Sequence, residues 1–171
     1  MIEKEKIYIS WAEIENRTKE LYKQLVMDSM PDLVVGIETG GTNISRILHN
    51  WLGLKNQHDS ISIHFYEGDK LNYNNLNSFY IPSYEYKHEK ILLIDDIIDS
   101  GTTINYFLNN SKLIRGINLK IATLYWNPNN KYNVVPDYYV EKKIQENEYL
   151  VFPWEVEYTE TFNGNNKNKN K

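Results

Sequence analysis

Short apolar runs alternate along this chain with segments in which apolar residues recur at helical spacing. The runs over 33–37 and 91–94 have the length and the aliphatic content of buried parallel strands. Between them, Ile44, Leu48 and Leu52 repeat every four residues, which is typical of the buried face of a helix. Strands that alternate with helices predict an α/β fold, with a doubly wound, mostly parallel sheet flanked by helices.

Local signals place the ends of further elements. Ser10 followed by Glu13 predicts the capping box of a helix that runs to about Met27, and Gly53 is expected to end the next helix. Other strands are predicted over 7–9, 61–65, 120–125 and 137–140, and a further helix over about 103–114.

Two segments lack an apolar period. Residues 66–88 are rich in Asn and Tyr, and a polar stretch of that length inside a compact domain is usually a functional lid or a disordered segment. In 163–171 Gly, Asn and Lys dominate and nothing apolar remains to bury, so we expect a disordered tail. Residues 1–162 are predicted to form a single domain.

Composition narrows the functional classes. The chain has 171 residues, of which 41% are apolar and 25% charged, as in ordinary globular proteins. The absence of cysteine excludes a disulfide framework, thiol catalysis and cysteine-ligated zinc. The net charge of −4 offers no basic footprint for nucleic acid, and neither a membrane-spanning run nor the apolar core of a signal peptide is evident. We therefore expect a cytoplasmic protein that binds neither nucleic acid nor membranes.

The strongest chemical signal follows the apolar run over 91–94. That run is expected to end at two adjacent carboxylates, Asp95 and Asp96, before the small and hydroxyl residues of 99–103. Such residues can wrap backbone N–H groups around an anion where a helix begins, here near Thr103. Because ligands of open α/β sheets bind outside the carboxyl ends of strands, this order predicts a ligand with both hydroxyl groups and a phosphate, such as a sugar phosphate.

The same residues also allow a plain structural interpretation, an ordinary strand followed by a capped helix. Asp99 or Ser100 would then be the N-cap, and the acidic pair would lie in a solvated turn. The pair and the hydroxyl-rich stretch occur together in one ordered motif, and this combination favours a ligand site.

The stretch from 91 to 103 resembles the 5-phosphoribosyl-1-pyrophosphate (PRPP) signature of the type I phosphoribosyltransferases. The resemblance implies transfer of a phosphoribosyl group from PRPP to a nucleobase, with loss of pyrophosphate and with Mg²⁺ as cofactor. It implies that Asp95 and Asp96 bind the ribose hydroxyls and the metal, and that Asp99 is catalytic and faces N7 of a purine. The residues expected to bind the 5-phosphate are Asp99, Ser100, Gly101, Thr102 and Thr103.

A second turn, after the run over 33–37, is also suited to an anion. It follows a predicted strand and precedes a helix, so its amides and the helix dipole can hold negative charge, although paired glycines also occur merely for tight turning. The resemblance implies that it binds pyrophosphate through Glu38, Thr39, Gly40 and Gly41. The family commonly has Arg or Lys at the position of Thr39, so Arg46 or Lys70 would have to supply the positive charge here.

The polar segment 66–88 corresponds in position to the flexible catalytic loop of these enzymes. Closure of that loop over PRPP would exclude water from an oxocarbenium-like sugar. Tyr66, Lys70 and Tyr73 are the candidate contacts, and the sequence does not choose between them.

The C-terminal segment 141–158 is similar to the base-binding hood of small xanthine-guanine and hypoxanthine phosphoribosyltransferases. By that similarity, Tyr149 would stack on the purine and the backbone of Leu150 would lie beside the base edge. Phe152 and Trp154 are expected to be core residues, as aromatic residues near a proline at a domain end usually are.

The purine enzymes generally have Lys, just before a Pro, at the position of Asn127, where it binds the exocyclic oxygen of the base. Asn can both donate and accept, so the preference between bases stays open, with a 6-oxopurine favoured. The resemblance also implies a homodimer or homotetramer. Thr39 and Asn127 would instead suit a non-catalytic PRPP or nucleotide sensor of the same fold, which is the alternative function.

Overall fold

The computed structural model describes residues 4–55, 58–67, 70–80, 90–110, 118–143 and 147–156. Within these ranges strands and helices alternate from residue 5 to 67, as predicted, and a third helix lies between the strands over 90–98 and 118–126. The elements are β1 (Glu5–Tyr8), α1 (Trp11–Met27), β2 (Leu33–Ile37), α2 (Gly40–Trp51), β3 (Asp59–Glu67), β4 (Lys70–Tyr80), β5 (Lys90–Ile98), α3 (Thr102–Asn110), β6 (Asn118–Trp126), β7 (Tyr138–Lys142) and β8 (Glu148–Val151).

Six strands form the main sheet, in the order β4-β3-β2-β5-β6-β7. All neighbouring strands are parallel except β3 and β4, so the predicted doubly wound, mostly parallel sheet is confirmed. The central strands β2 and β5 pair from Leu33 opposite Ile91 to Gly36 opposite Ile94. Their aliphatic side chains are buried on both faces, as a strand covered by helices on both sides requires.

Both predicted helix boundaries in the first third of the chain are confirmed. Ser10 Oγ accepts a hydrogen bond from Glu13 N at 3.2 Å, and Glu13 Oε2 accepts one from Ser10 N at 2.9 Å, which completes the capping box of α1. Gly53, just beyond α2, has a φ of 62°, a conformation that glycine adopts without strain.

The prediction of a loop over 66–88 is wrong for 66–67, which end β3, and for 70–80, which form β4 antiparallel to β3. The pairing shifts register between His64 and Phe65 and again between Phe65 and Tyr66. Such irregularities break the two-residue alternation that identifies a strand. The polar sequence of this segment therefore did not indicate the antiparallel pair of β3 and β4. The remainder of the predicted loop, 68–69 and 81–88, and the predicted tail, 163–171, lie outside the described residues.

Two further predictions need adjustment. The predicted helix over 103–114 is α3, which begins one residue earlier and is described to Asn110. The predicted C-terminal hood contributes β8, which pairs in parallel with β1 as a separate two-stranded sheet. In the described part of the chain, no helix is both long enough and apolar enough to cross a membrane.

Candidate functional site

Strand β5 continues through the acidic pair. The sequence predicted that the strand ends at Ile94 with the carboxylates beyond it, but β5 runs on to Ile98, with Asp95 paired to Thr123 and Ile97 to Tyr125 of β6. Pairing with the longer neighbour extends the strand, which no local pattern signals. The interpretation of the pair as a solvated turn is therefore wrong, and both carboxylates are anchored in the sheet near its carboxyl edge.

The surroundings of the acidic pair disfavour its charge. Part of each residue contacts solvent, but protein atoms surround both carboxylates, and burial raises the pKa of Asp95 well above its usual range. The neighbouring charge of Asp96 raises the pKa of Asp95 further. Burial raises the pKa of Asp96 to about 6, and repulsion by Glu155 adds to this shift. A site with two such carboxylates is suited to bind a cation or hydroxyl donors.

The turn before α2 packs directly against the acidic pair. A methyl group added to Gly40 would lie 1.8 Å from Asp96 Oδ2, and one added to Gly41 would lie 2.1 Å from the carbonyl oxygen of Ile94. Only glycine permits this approach, so the two glycines have a packing role in addition to any anion that they bind. The N-terminus of α2 is thereby held beside Asp96.

The remainder of this turn is also ordered. Glu38 Oε1 accepts a hydrogen bond from Ser60 Oγ at 2.9 Å, and the Glu38–Thr39 peptide bond is cis. The candidate compensating charge of Arg46 is on the exposed face of α2, where it helps lower the pKa of His58. Arg46 does not line the cavity described below, and the side chain of Lys70 lies outside what the structure describes.

The segment between β5 and α3 forms the predicted turn. Thr102 N donates to Ser100 Oγ at 3.3 Å, and the two hydroxyl groups are 2.9 Å apart. Gly101 has a φ of 75°, and a methyl group there would lie 2.6 Å from Asn130 Oδ1. The chain therefore reverses sharply at Gly101 and leads into α3, with amides at the helix start available to an anion.

Asn130 organises the loop that supports this turn. It is buried, its Nδ2 donates to Val134 O at 2.8 Å, and its Oδ1 accepts from Val134 N at 2.8 Å. The role of Asn130 could not be predicted from the sequence, because nothing in the residue types of 127–130 distinguishes a buried amide from an exposed one.

Asp99 lies at the junction of three strands. Its Oδ1 accepts from Asn127 Nδ2 at 3.1 Å, and its Oδ2 is 3.0 Å from Lys143 Nζ. The side chain of Asp99 is 43% exposed, whereas that of Lys143 is 5% exposed. The sequence analysis did not identify Lys143, because Lys142 and Lys143 together are typical of a solvated surface.

The C-terminal aromatic segment reaches the acidic pair. Trp154 Nε1 donates to Asp96 Oδ2 at 3.2 Å, while its ring stacks on Phe152 with centroids 5.1 Å apart. Phe152 is buried, as predicted, and Trp154 is partly buried and packs against the same core cluster. The bond of its indole N–H to Asp96 adds a contact with the site that the sequence did not indicate.

The two residues of the hood that were assigned to base binding lie on β8. Leu150 is buried in the core opposite Ile7, and Tyr149 is 47% exposed opposite Lys6. Neither lines the described cavity, so their contacts with a base stay predictions.

A cavity of about 230 Å³ lies at this edge of the sheet. It is lined by Glu38, by the acidic pair, and by Asp99 and the turn as far as Thr103. The cavity thus brings together the ribose and 5-phosphate candidates with Glu38, whereas the other pyrophosphate candidates, Thr39, Gly40 and Gly41, do not line it. Asn127 does not line it either and contacts the site through Asp99.

The acidic pair also fits the donor set that Mg²⁺ prefers. Mg²⁺ is usually held by one or two carboxylates, with substrate phosphates and water completing its coordination. Among the described residues no group of three or more His, Cys, Asp or Glu side chains is arranged for a metal. Asp95 and Asp96 would therefore hold Mg²⁺ together with oxygen atoms of the substrate.

Comparison with known proteins gives a consistent result. Residues 9–161 match the family model of the phosphoribosyl transferase domain. The chain is 29% identical over 137 residues to a hypoxanthine-guanine phosphoribosyltransferase of Lactococcus lactis, covering 78% of this chain and 74% of that protein. It is similar to the purine phosphoribosyltransferase of Pyrococcus horikoshii, with a TM-score of 0.71, 26% identity and coverage of 89% and 95% of the two chains. A Helicobacter pylori xanthine-guanine-hypoxanthine phosphoribosyltransferase has the same fold, with a TM-score of 0.77, 20% identity and coverage of 93% and 99%.

Proposed function

The chain belongs to the type I phosphoribosyltransferases, and on that premise we propose that it transfers the 5-phosphoribosyl group of PRPP to a 6-oxopurine and releases pyrophosphate. One observation carries the proposal. The acidic pair of β5 and the 99–103 turn line a single cavity, and the glycine turn before α2 packs against that pair. A ligand with a phosphate, hydroxyl groups and a second anionic group matches these three parts of the site, the 99–103 turn, the acidic pair and the glycine turn.

Each part of PRPP is assigned to one of these three parts of the site. The 5-phosphate is bound by the amides and hydroxyl groups of 100–103 at the start of α3. Asp95 and Asp96 accept hydrogen bonds from the ribose hydroxyls and hold Mg²⁺. The pyrophosphate is held by the turn at 38–41, beside the N-terminus of α2. When bound, Mg²⁺ would neutralise charge on the leaving pyrophosphate.

The base is assigned to the side of the cavity at Asp99. Nucleophilic attack by a ring nitrogen on the anomeric carbon forms the C–N bond as the bond to pyrophosphate breaks. Asp99, which is partly exposed, accepts the hydrogen bond or proton of the purine imidazole ring. Tyr149 stacks on the base and Leu150 borders its edge by similarity to the hood of the family, and a homodimer or homotetramer remains the expected assembly.

The orientation of Asn127 supports a 6-oxopurine. Its Oδ1 accepts from Asn129 N at 2.9 Å, and its Nδ2 donates to Asp99 Oδ1 at 3.1 Å. Because a backbone N–H can only donate and a carboxylate can only accept, these contacts allow one orientation of the amide. The hydrogen that remains on Nδ2 is a donor, which suits an exocyclic oxygen and not an amino group. An amino group facing this donor would leave both groups without an acceptor, which costs about 1–3 kcal/mol. This corresponds to about a 5- to 150-fold preference for the 6-oxo base.

A base panel tests the proposal. The protein is incubated with PRPP, Mg²⁺ and one of six bases, namely hypoxanthine, guanine, xanthine, adenine, uracil or orotate, and nucleotide and pyrophosphate are measured. Hypoxanthine or guanine is expected to give the highest kcat/KM, and Asp99→Asn should lower turnover. Preferential conversion of adenine or a pyrimidine would contradict the base assignment, and no conversion of any base would contradict the activity.

A further inference from the structure

Three neighbouring strands of the sheet end in register with one another. Beyond β5 lies Asp99, beyond β6 lies Asn127, and beyond β7 lies Lys143. Backbone hydrogen bonds continue the ladder at this level, from Asn127 N to Ile98 O at 2.9 Å and from Lys143 N to Trp126 O at 2.8 Å. The sheet therefore presents these three side chains side by side at its carboxyl edge, where ligands of such sheets bind.

Lys143 is buried in a way that lysine seldom is. Only 5% of its side chain is exposed, although an ammonium group loses several kcal/mol of hydration when it is buried without a partner. Its Nζ lies 3.0 Å from Asp99 Oδ2, so burial of the cation is compensated by the carboxylate. A neutral side chain of similar volume would satisfy packing alone at no such cost, which points to a role for the charge.

Lys143 and Asn127 together engage both oxygens of Asp99. Asn127 donates to Oδ1 and Lys143 to Oδ2, and these two contacts determine the plane of the carboxylate. Each oxygen retains a second lone pair, and the side chain is 43% exposed, so Asp99 can still accept from a ligand.

We propose that Lys143 is a positioning residue of the transferase reaction, which fixes the Asp99 carboxylate and orients its free lone pairs toward the acceptor base. The inference rests on the proposed function and adds to it the residue that follows β7. The ammonium acts through Asp99, while Asn127 retains a donor for the exocyclic oxygen of the base. Loss of Lys143 frees the carboxylate to rotate about its side-chain bonds, and a misplacement of about 1 Å can reduce a rate about 100-fold.

The test compares Lys143→Met with Lys142→Met, its matched control. Lys142 is the preceding residue, is exposed, and lies over the Trp126 ring at 5.4 Å, away from Asp99. We expect Lys143→Met to lower kcat/KM for the purine about 10- to 100-fold, with the Kd for PRPP and Mg²⁺ unchanged within about twofold. Lys142→Met should stay within about twofold of the wild type in both values, and Lys143→Arg should recover part of the loss. If Lys143→Met fails to fold, Lys143→Gln carries the same comparison.

A double-mutant cycle shows whether Lys143 acts through Asp99. The Kd of the product nucleotide is measured by calorimetry for the wild type, Lys143→Met, Asp99→Asn and the double variant, and the double variant is expected to bind no worse than Asp99→Asn alone. Additive losses, a parallel loss of PRPP affinity, or full activity of Lys143→Met would overturn the inference while the proposed function stands. A wild-type protein that converts no purine would overturn both.

Discussion

Replacement of Asp96 by Asn is expected to stabilise the ligand-free protein at neutral pH while it weakens PRPP binding. Burial raises the pKa of Asp96 from 3.8 to about 6, so the folded protein resists its ionisation. Asn has nearly the same shape and carries no charge, but its single oxygen can accept from only one of the two present donors, Ile97 N at 2.8 Å from Oδ1 and Trp154 Nε1 at 3.2 Å from Oδ2. The substitution therefore removes the cost of a buried charge and loses one hydrogen bond.

The size and sign of the effect follow from the pKa. The rise of the pKa from 3.8 to about 6 corresponds to about 3 kcal/mol, and the lost hydrogen bond and the partial contact of Asp96 with solvent reduce the expected gain to about 1–2 kcal/mol. Because the pKa of Asp96 is higher in the folded than in the unfolded protein, the folded wild type is more stable when Asp96 is protonated. This stability is lost as pH rises from about 4 to about 6. The advantage of the variant is thus full above pH 6 and shrinks below it.

Urea unfolding at pH 7.5 and pH 5.0 without Mg²⁺ measures this difference. His58 introduces an opposite pH dependence, because burial lowers its pKa to about 4 and stability then falls as pH drops below about 6.5. Since His58 is present in both proteins, it cancels when the variant is compared with the wild type. A variant less stable than the wild type at pH 7.5, or a gap that is equal at both pH values, would refute the reasoning.

Three other substitutions separate the parts of the site. Trp154→Phe keeps the ring on Phe152 but removes the donor to Asp96, so calorimetry should show PRPP affinity reduced about 5- to 10-fold, and an unchanged affinity would place Trp154 outside the site. Thr39→Arg adds a cation beside the proposed pyrophosphate and should tighten PRPP binding about 10- to 100-fold by calorimetry, whereas weaker binding would place the pyrophosphate elsewhere. Tyr149→Ala should raise KM for the purine about 5- to 150-fold and leave the Kd for PRPP unchanged. A KM that equals the wild-type value for every base would contradict the stacking role.

Most of the fold could be predicted because its strongest signals are local. The aliphatic runs of β2 and β5 and the capping box at Ser10 each depend on residues close together in sequence, and each is confirmed. Strand β4 was missed because its pairing with β3 is irregular and its composition is polar. The end of β5 was placed too early because its last residues extend the strand by pairing with β6, and no local sequence pattern indicates this pairing.

The candidate site shows the same division between local and distant information. The run from Asp95 to Thr103 is continuous in sequence, and the structure places it along one cavity. Lys143 is distant from Asp99 in the chain and meets it only when β5, β6 and β7 align, so residue type and spacing gave no indication of the contact. The contact of Trp154 with the site was missed for the same reason, since its bond to Asp96 joins residues 58 positions apart.

A ³¹P NMR time course of the wild-type protein with PRPP, Mg²⁺ and hypoxanthine tests the central claim most directly. It follows the PRPP consumed, the pyrophosphate released and the monophosphate formed in a single sample. The proposed function predicts that PRPP disappears as pyrophosphate and a purine nucleoside monophosphate accumulate in equal amounts, and that omission of the base stops the reaction. Persistence of PRPP, or its base-independent hydrolysis to ribose 5-phosphate, would contradict the assignment of this site to phosphoribosyl transfer.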